Sequence, residues 1–201
     1  LQESVFHVTS TKGIPIMAFT IHTPETAPDG SKSILNDVAK MYGFTPNLYA
    51  VFAESPVALS TYIHILGALK DHAALTPQEQ QLVMLAVSRE NGCGYCVAAH
   101  SMVATMSEVP AETVAAMRDG KAPADAKQAA LVAFAKAILE HRGWVPEAEQ
   151  QAFLDAGYTR RHLLDVVSIV AMKTLSNYTN HIADTPVDPQ FAKFAWSKPT
   201  E

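Results

Sequence analysis

Cysteine is nearly absent from this chain: among 201 residues there are two, Cys93 and Cys96. A disulfide between residues three positions apart closes almost no loop, so a disulfide-stapled fold is excluded and the pair must serve chemistry or metal. Charge is sparse as well. Charged residues make up 17% of the chain and hydrophobic ones 48%, which excludes a disordered polymer and points to apolar surface covered by partner subunits. Lysine and arginine total 15 against 20 aspartate and glutamate, a formal net charge of -5. Nothing in that balance draws the chain toward nucleic acid or anionic lipid, and neither is expected as a partner. Long apolar runs are missing too. The richest, Leu163 to Leu175, is broken by Asp165 and Lys173 and falls short of the roughly 20 residues of a bilayer crossing. The stretch Leu1 to Pro15 lacks the continuous apolar segment of a secretory signal, so a cytoplasmic location is the default expectation. No two-residue alternation is sustained anywhere, which argues against a sheet.

Helix punctuation fills the chain instead. Ile34, Leu35, Val38, Met41 and Tyr42 fall at helical spacing between a capping Ser31 and a terminating Gly43. After Pro46 a short turn is expected, and Ser55-Pro56 then starts a helix to about Lys70. Thr76-Pro77-Gln78-Glu79 is a capping-box signature for a helix to about Asn91, and Gly92 interrupts before a new helix runs through Met106. Further helices are expected from Pro110 to Arg118, Asp125 to Arg142, Pro146 to Ala156 and Thr159 to about Ile182. The fold class is all-α. Residues 1–16 read as a tag or upstream extension, 17–191 as one helical domain and 192–201 as an irregular tail.

Cys93-Gly94-Tyr95-Cys96-Val97-Ala98-Ala99-His100 is the one stretch whose residue types and spacing together require a chemical explanation. Separations of three and four put Cys93, Cys96 and His100 along one helical face near a helix N-terminus. From there His100 can take the proton of the Cys96 thiol, and the helix end favours the resulting negative charge. A thiolate attacking a peroxide becomes a sulfenic acid, which a second thiol converts to a disulfide, and the same pair can exchange with an external disulfide. A zinc site using both cysteines and the histidine, completed by His181 or a carboxylate, remains open at this point, as do inert buried cysteines.

With Asn91-Gly92-Cys93, Tyr95-Cys96 and His100 in view, the chain resembles the carboxymuconolactone decarboxylase superfamily, specifically its AhpD-like alkyl hydroperoxidase branch. The resemblance implies a compact multi-helix fold with the CxxC at the N-terminus of a central helix, and a trimeric or hexameric homo-oligomer. It implies a peroxidase, an antioxidant oxidoreductase with a redox-active disulfide and no bound cofactor or metal. Hydroperoxide or disulfide is then the substrate, and a lipoyl or thioredoxin-like thiol the reductant. By position Cys96 is the peroxide-side cysteine, Cys93 resolves and His100 belongs to the proton relay. The family's relay glutamate and the histidine between its cysteines are replaced here by Gln81 and Tyr95. Glu90 is the second choice for the missing acid, and His181 a further candidate base. Glu79 reads as the capping-box partner. A metal-stabilised helical interaction module without catalysis and a lactone decarboxylase-like enzyme are the alternatives.

Overall fold

Several helices start and stop where local chemistry satisfies free backbone groups. In the computed structural model, which describes residues 19–199, nine α-helices and one 3-10 helix follow one another, with no strand among the described residues. They are α1 Asp29–Tyr42, α2 Asn47–Phe52, α3 Pro56–His72, α4 Pro77–Glu90, α5 Gly94–Met106, α6 Ala111–Arg118, α7 Ala126–Glu140, α8 Glu147–Asp155, α9 Arg160–Ala183 and a 3-10 helix Pro189–Phe194. The expected extension at 1–16 lies outside the described residues. Ser55 accepts from Ala58 N, Asp125 accepts from Gln128 N, and Thr76 and Glu79 close the reciprocal capping box at the start of α4. Gly43 ends α1 in the left-handed region at φ 76°. The turn expected after Pro46 is instead the short helix α2, all six of whose residues except Asn47 are buried.

α4 is the centre of the molecule. Seven consecutive residues, Leu82 to Ser88, are buried, as in a helix surrounded on all sides rather than one with a solvent face. It packs against α5, α7 and α9, while α3 also lies on α9, α8 on α7 and the 3-10 helix on α5. Two apolar clusters result. The larger holds Met84, Val87, both cysteines, Leu131, Phe134, Ile169 and Met172; the smaller, with Leu82, Leu85, Val97, Val114 and Met117, lies under α6. No helix among the described residues is long and apolar enough to cross a membrane.

The tail departs from expectation. Residues 192–201 read as irregular, yet the described part of that segment completes the 3-10 helix and is tied to the body. Arg118 donates to the carbonyls of Phe194 at 2.8 Å and Ala195 at 3.0 Å and to Ser101 Oγ at 2.9 Å, and Trp196 Nε1 donates back to the Arg118 carbonyl at 3.2 Å. These long-range bonds have no sequence signature. The Trp196 carbonyl comes so close to the start of α5 that a Cβ on Gly94 would stand 2.7 Å from it. Backbone must then move, and Gly94→Ala is expected to lose about 1–3 kcal/mol in guanidinium unfolding. An unchanged midpoint would mean that the tail does not rest there in solution.

Candidate functional site

The junction of α4 and α5 sets the position of the first cysteine. Gly92 adopts φ 71°, Gly92 N donates to the Arg89 carbonyl and Cys93 N to the Ser88 carbonyl, both at 2.9 Å. This is a Schellman turn, for which a left-handed glycine is the low-cost solution. Cys93 therefore ends one helix and is the N-cap of the next, and Cys96 falls in the first turn of α5. Both thiols are free and only 1% exposed.

α9 supplies the other half. Asp165 accepts from the backbone of Ala74 at 2.6 Å and Leu75 at 3.3 Å, which fixes α9 against the loop between α3 and α4. Beyond it, Lys173, Ser176, Asn177 and Asn180 recur at helical spacing and are all buried. Asn180 Nδ2 donates to the sulfurs of Cys96 at 3.2 Å and Cys93 at 3.7 Å, and Ser176 Oγ stands 4.0 Å from Cys96 Sγ. Asn91 Nδ2, from the Schellman turn, donates to Asn177 Oδ1 at 2.9 Å and joins the two halves.

The electrostatics separate the two thiols. Burial alone would raise the Cys96 pKa; a hydrogen bond from Cys93 and the positive charge of Lys173 more than offset it and bring it down to about 5. Cys93 is pushed far up by its hydrogen bond to Cys96, by burial and by the Cys96 charge, so it keeps its proton. Lys173 is fully buried, and burial pulls its pKa down, but the negative charge of Cys96 and a hydrogen bond to it raise it above the ordinary value. A thiolate and an ammonium thus hold each other in their charged forms.

His100 does not reach the thiol. The expected direct bond to Cys96 is replaced by one to Lys173: Nζ lies 2.8 Å from His100 Nε2, and His100 Nδ1 lies 3.0 Å from Gln81 Oε1. Burial and the Lys173 charge hold the imidazole pKa well below its usual value. A neutral ring that accepts from the ammonium at Nε2 carries its proton on Nδ1 and donates it to Gln81. The order is therefore Lys173 to His100 to Gln81. Lys173 is the residue that sequence reasoning passed over, noted only as an interruption of an apolar run. Its signal was that same interruption, with Ser176, Asn177 and Asn180 following it on one face of a buried helix.

Tyr95 is in the wall rather than in a relay. Its hydroxyl donates to Asp188 Oδ2 at 2.5 Å and accepts from Leu48 N at 3.1 Å, and burial raises its pKa far above the ordinary value. Its ring meets Phe191 edge-on at 5.9 Å. Glu90, the second-choice acid, is at the surface, paired with Lys136 at 3.1 Å and Arg89 at 3.4 Å. His181 is exposed and lies over Tyr178. Both are corrected: the side of α9 that turns to the sulfurs carries the asparagines. Glu79 closes its capping box and accepts from Tyr158 at 2.9 Å, as its capping role requires. The zinc alternative loses its fourth ligand with His181, and no group of three or more His, Cys, Asp and Glu side chains among the described residues is placed to hold a metal ion.

A cavity of about 70 Å³ opens beside Cys96, with Tyr42, Tyr49, Tyr62 and Tyr95 in its largely apolar wall. Lys173 and His100 line it as well. A thiolate in such a pocket, with a protonated thiol at the preceding helical step, has the chemistry of an activated nucleophile with a resolving partner.

Comparison with known proteins agrees with the helical fold. Residues 56–138, which include both cysteines and His100, match the carboxymuconolactone decarboxylase family; Lys173 lies beyond the matched residues. The alkylhydroperoxidase AhpD core of an uncharacterized peroxidase-related protein from Ralstonia eutropha JMP134 is similar in structure, with TM-score 0.77 and 26% identity over 94% of this chain and 100% of that one. An uncharacterized peroxidase-related protein from Silicibacter sp. TM1040 has TM-score 0.75 and 18% identity, over 88% of this chain and 93% of that one. The debrominase Bmp8, in complex with 2,3,4-tribromopyrrole, has TM-score 0.74 and 15% identity, over 89% and 95%. The last two share the fold. No curated protein matches the chain in sequence.

Proposed function

We propose that this chain, whose residues 56–138 match the carboxymuconolactone decarboxylase family, is a thiol-dependent oxidoreductase that reduces organic hydroperoxides through Cys96 and Cys93. The observation that carries the reading is the asymmetry of the pair: Cys96 ionises easily beside the Lys173 ammonium, while Cys93 stays protonated one helical step away. The Cys96 thiolate attacks the terminal oxygen of the hydroperoxide, the O–O bond breaks, and the other oxygen leaves as an alcohol once it takes a proton. Cys96 is then a sulfenic acid. Cys93 attacks its sulfur, a disulfide forms and water leaves. An external dithiol, lipoyl or thioredoxin-like, restores both thiols by exchange. The peroxidase-related name of the Ralstonia eutropha structure supports the same reading.

The test is stoichiometric. Adding one equivalent of an alkyl hydroperoxide to the reduced protein is expected to remove both free thiols of each chain and to form an intramolecular disulfide, followed by thiol titration and intact mass. Thiols that survive excess hydroperoxide, while remaining open to alkylation, would rule this function out.

A further inference from the structure

A buried ammonium offers three N–H groups, and Lys173 gives one to His100 Nε2 and one to the Cys96 sulfur. One N–H is left over, and among the described residues no carboxylate pairs with it. Its side chain lines the same cavity as Cys96. We infer that Lys173 is the general acid of the reaction, the group that gives its proton to the oxygen leaving the hydroperoxide. This rests on the peroxidase reading above and adds a catalytic residue to it.

Heterolysis of an O–O bond by a thiolate leaves an alkoxide, a strong base that needs a proton in a mostly apolar site. His100 cannot provide it. The ring accepts from Lys173 and its pKa is depressed by burial and by that cation, so it holds no second proton to give. Tyr95 is committed to Asp188, and Cys93 must keep its proton until the sulfenic acid has formed. Tyr42 and Tyr49 are bonded to each other and burial holds the pKa of the Tyr49 and Tyr62 hydroxyls above its ordinary value, so of the acids lining the cavity Lys173 is the one that carries a positive charge beside the thiolate.

The proton count closes. The reduced site holds Cys96 as thiolate, Cys93 as thiol and Lys173 as ammonium. Attack yields the Cys96 sulfenic acid, the alcohol and Lys173 as a neutral amine. Condensation moves the Cys93 proton onto the departing hydroxyl as water and leaves the disulfide. Reduction by an external dithiol returns a proton to Cys93 and releases one more, which Lys173 takes up as the Cys96 thiolate reappears beside it. The groups that face Lys173 and set this exchange are Cys96 and Cys93 at the start of α5, Tyr62 on α3 and His100 on α5.

Gln81 acquires a reason. An amide oxygen facing His100 Nδ1 holds the ring neutral and leaves Nε2 free to accept from Lys173. A carboxylate there would favour a doubly protonated ring, which would present a donor to the ammonium in place of an acceptor. His100 and Gln81 are positioning residues for Lys173.

The test compares two reagents at the same thiolate. Alkylation by iodoacetamide expels iodide, which needs no proton; oxidation by tert-butyl hydroperoxide expels an alkoxide, which does. With rates expressed per thiolate, after the pKa of each protein has been titrated, Lys173→Gln is expected to keep or raise iodoacetamide reactivity, because a more basic thiolate is the better nucleophile, and to lose about a hundredfold in hydroperoxide reactivity relative to it. A parallel change in both rates would overturn the inference. The wild-type protein gives an independent reading across hydroperoxides with leaving alcohols of graded acidity. Weak dependence on that acidity supports an internal acid, and a steep rise with more acidic alcohols overturns it. A wild-type protein that alkylates readily but reacts with no hydroperoxide would instead remove the peroxidase reading itself.

Discussion

Cys96→Ser is expected to reduce hydroperoxide turnover by about three orders of magnitude or more, to the level of the uncatalysed reaction. A serine hydroxyl ionises far above neutral pH and is a poor nucleophile toward a peroxide oxygen, so the neighbouring ammonium has no thiolate to hold. The substitution is nearly isosteric at a fully packed position, and the fold should survive it. Cys93→Ser separates the two sulfurs. It retains the first chemical step because Cys96 and Lys173 are untouched, but its sulfenic acid has no resolving thiol. One equivalent of hydroperoxide is consumed in a burst, the product is trapped by dimedone on Cys96, and turnover with a dithiol is slow. Measuring steady-state consumption and the burst in both variants decides the assignment. A Cys96→Ser protein with a tenth or more of wild-type activity would reverse the roles or remove them.

The second large effect is electrostatic. With Cys96 lowered to about 5, the thiolate is fully formed at neutral pH, and reactivity toward an alkylating reagent rises with pH through about 5 and then stays level. Lys173→Met removes the charge while keeping an unbranched apolar chain of similar size. Burial then acts on Cys96 without compensation, and its titration should move above the free-thiol value of about 8.5. At neutral pH the thiolate fraction falls to roughly a hundredth, and alkylation slows about a hundredfold, recovering as pH is raised. Ultraviolet absorbance of the thiolate against pH reports the shift directly. Linkage has the corresponding sign: a folded-state pKa below the unfolded one stabilises the fold at pH above the unfolded value, and that contribution fades as pH falls through about 5. The variant should lose this part of the pH dependence. A titration that stays near 5 in Lys173→Met would show that the helix end and Cys93, not the lysine, hold the charge.

Much of the architecture was legible because its causes are local. Ser55, Thr76, Glu79 and Asp125 act on backbone groups within their own first turn, and Gly43 and Gly92 act on theirs. The Cys93 and Cys96 spacing lies within one helix and its cap and so was legible, whereas the direct His100–Cys96 bond expected from the same spacing is replaced by one to Lys173. Glu90 was misjudged because proximity in sequence to Cys93 is not proximity in space: at the end of α4 its carboxylate turns to Lys136 on α7. His181 failed for a related reason, since several turns of α9 face the sulfurs but the histidine lies outside that face.

The amino-acid sequence by itself determined a helical fold, the turn that presents Cys93 and the thiol chemistry available to a pair three residues apart, since each follows from bonds made within a few residues. Only the tertiary structure decided which cation stands beside the nucleophile. Lys173 and His100 are 73 residues apart, and they meet because α9 docks on the α4–α5 hairpin in one register. A lysine in an apolar run is a solvent-seeking residue until packing closes around it, and what then sustains its charge is a sulfur on another helix.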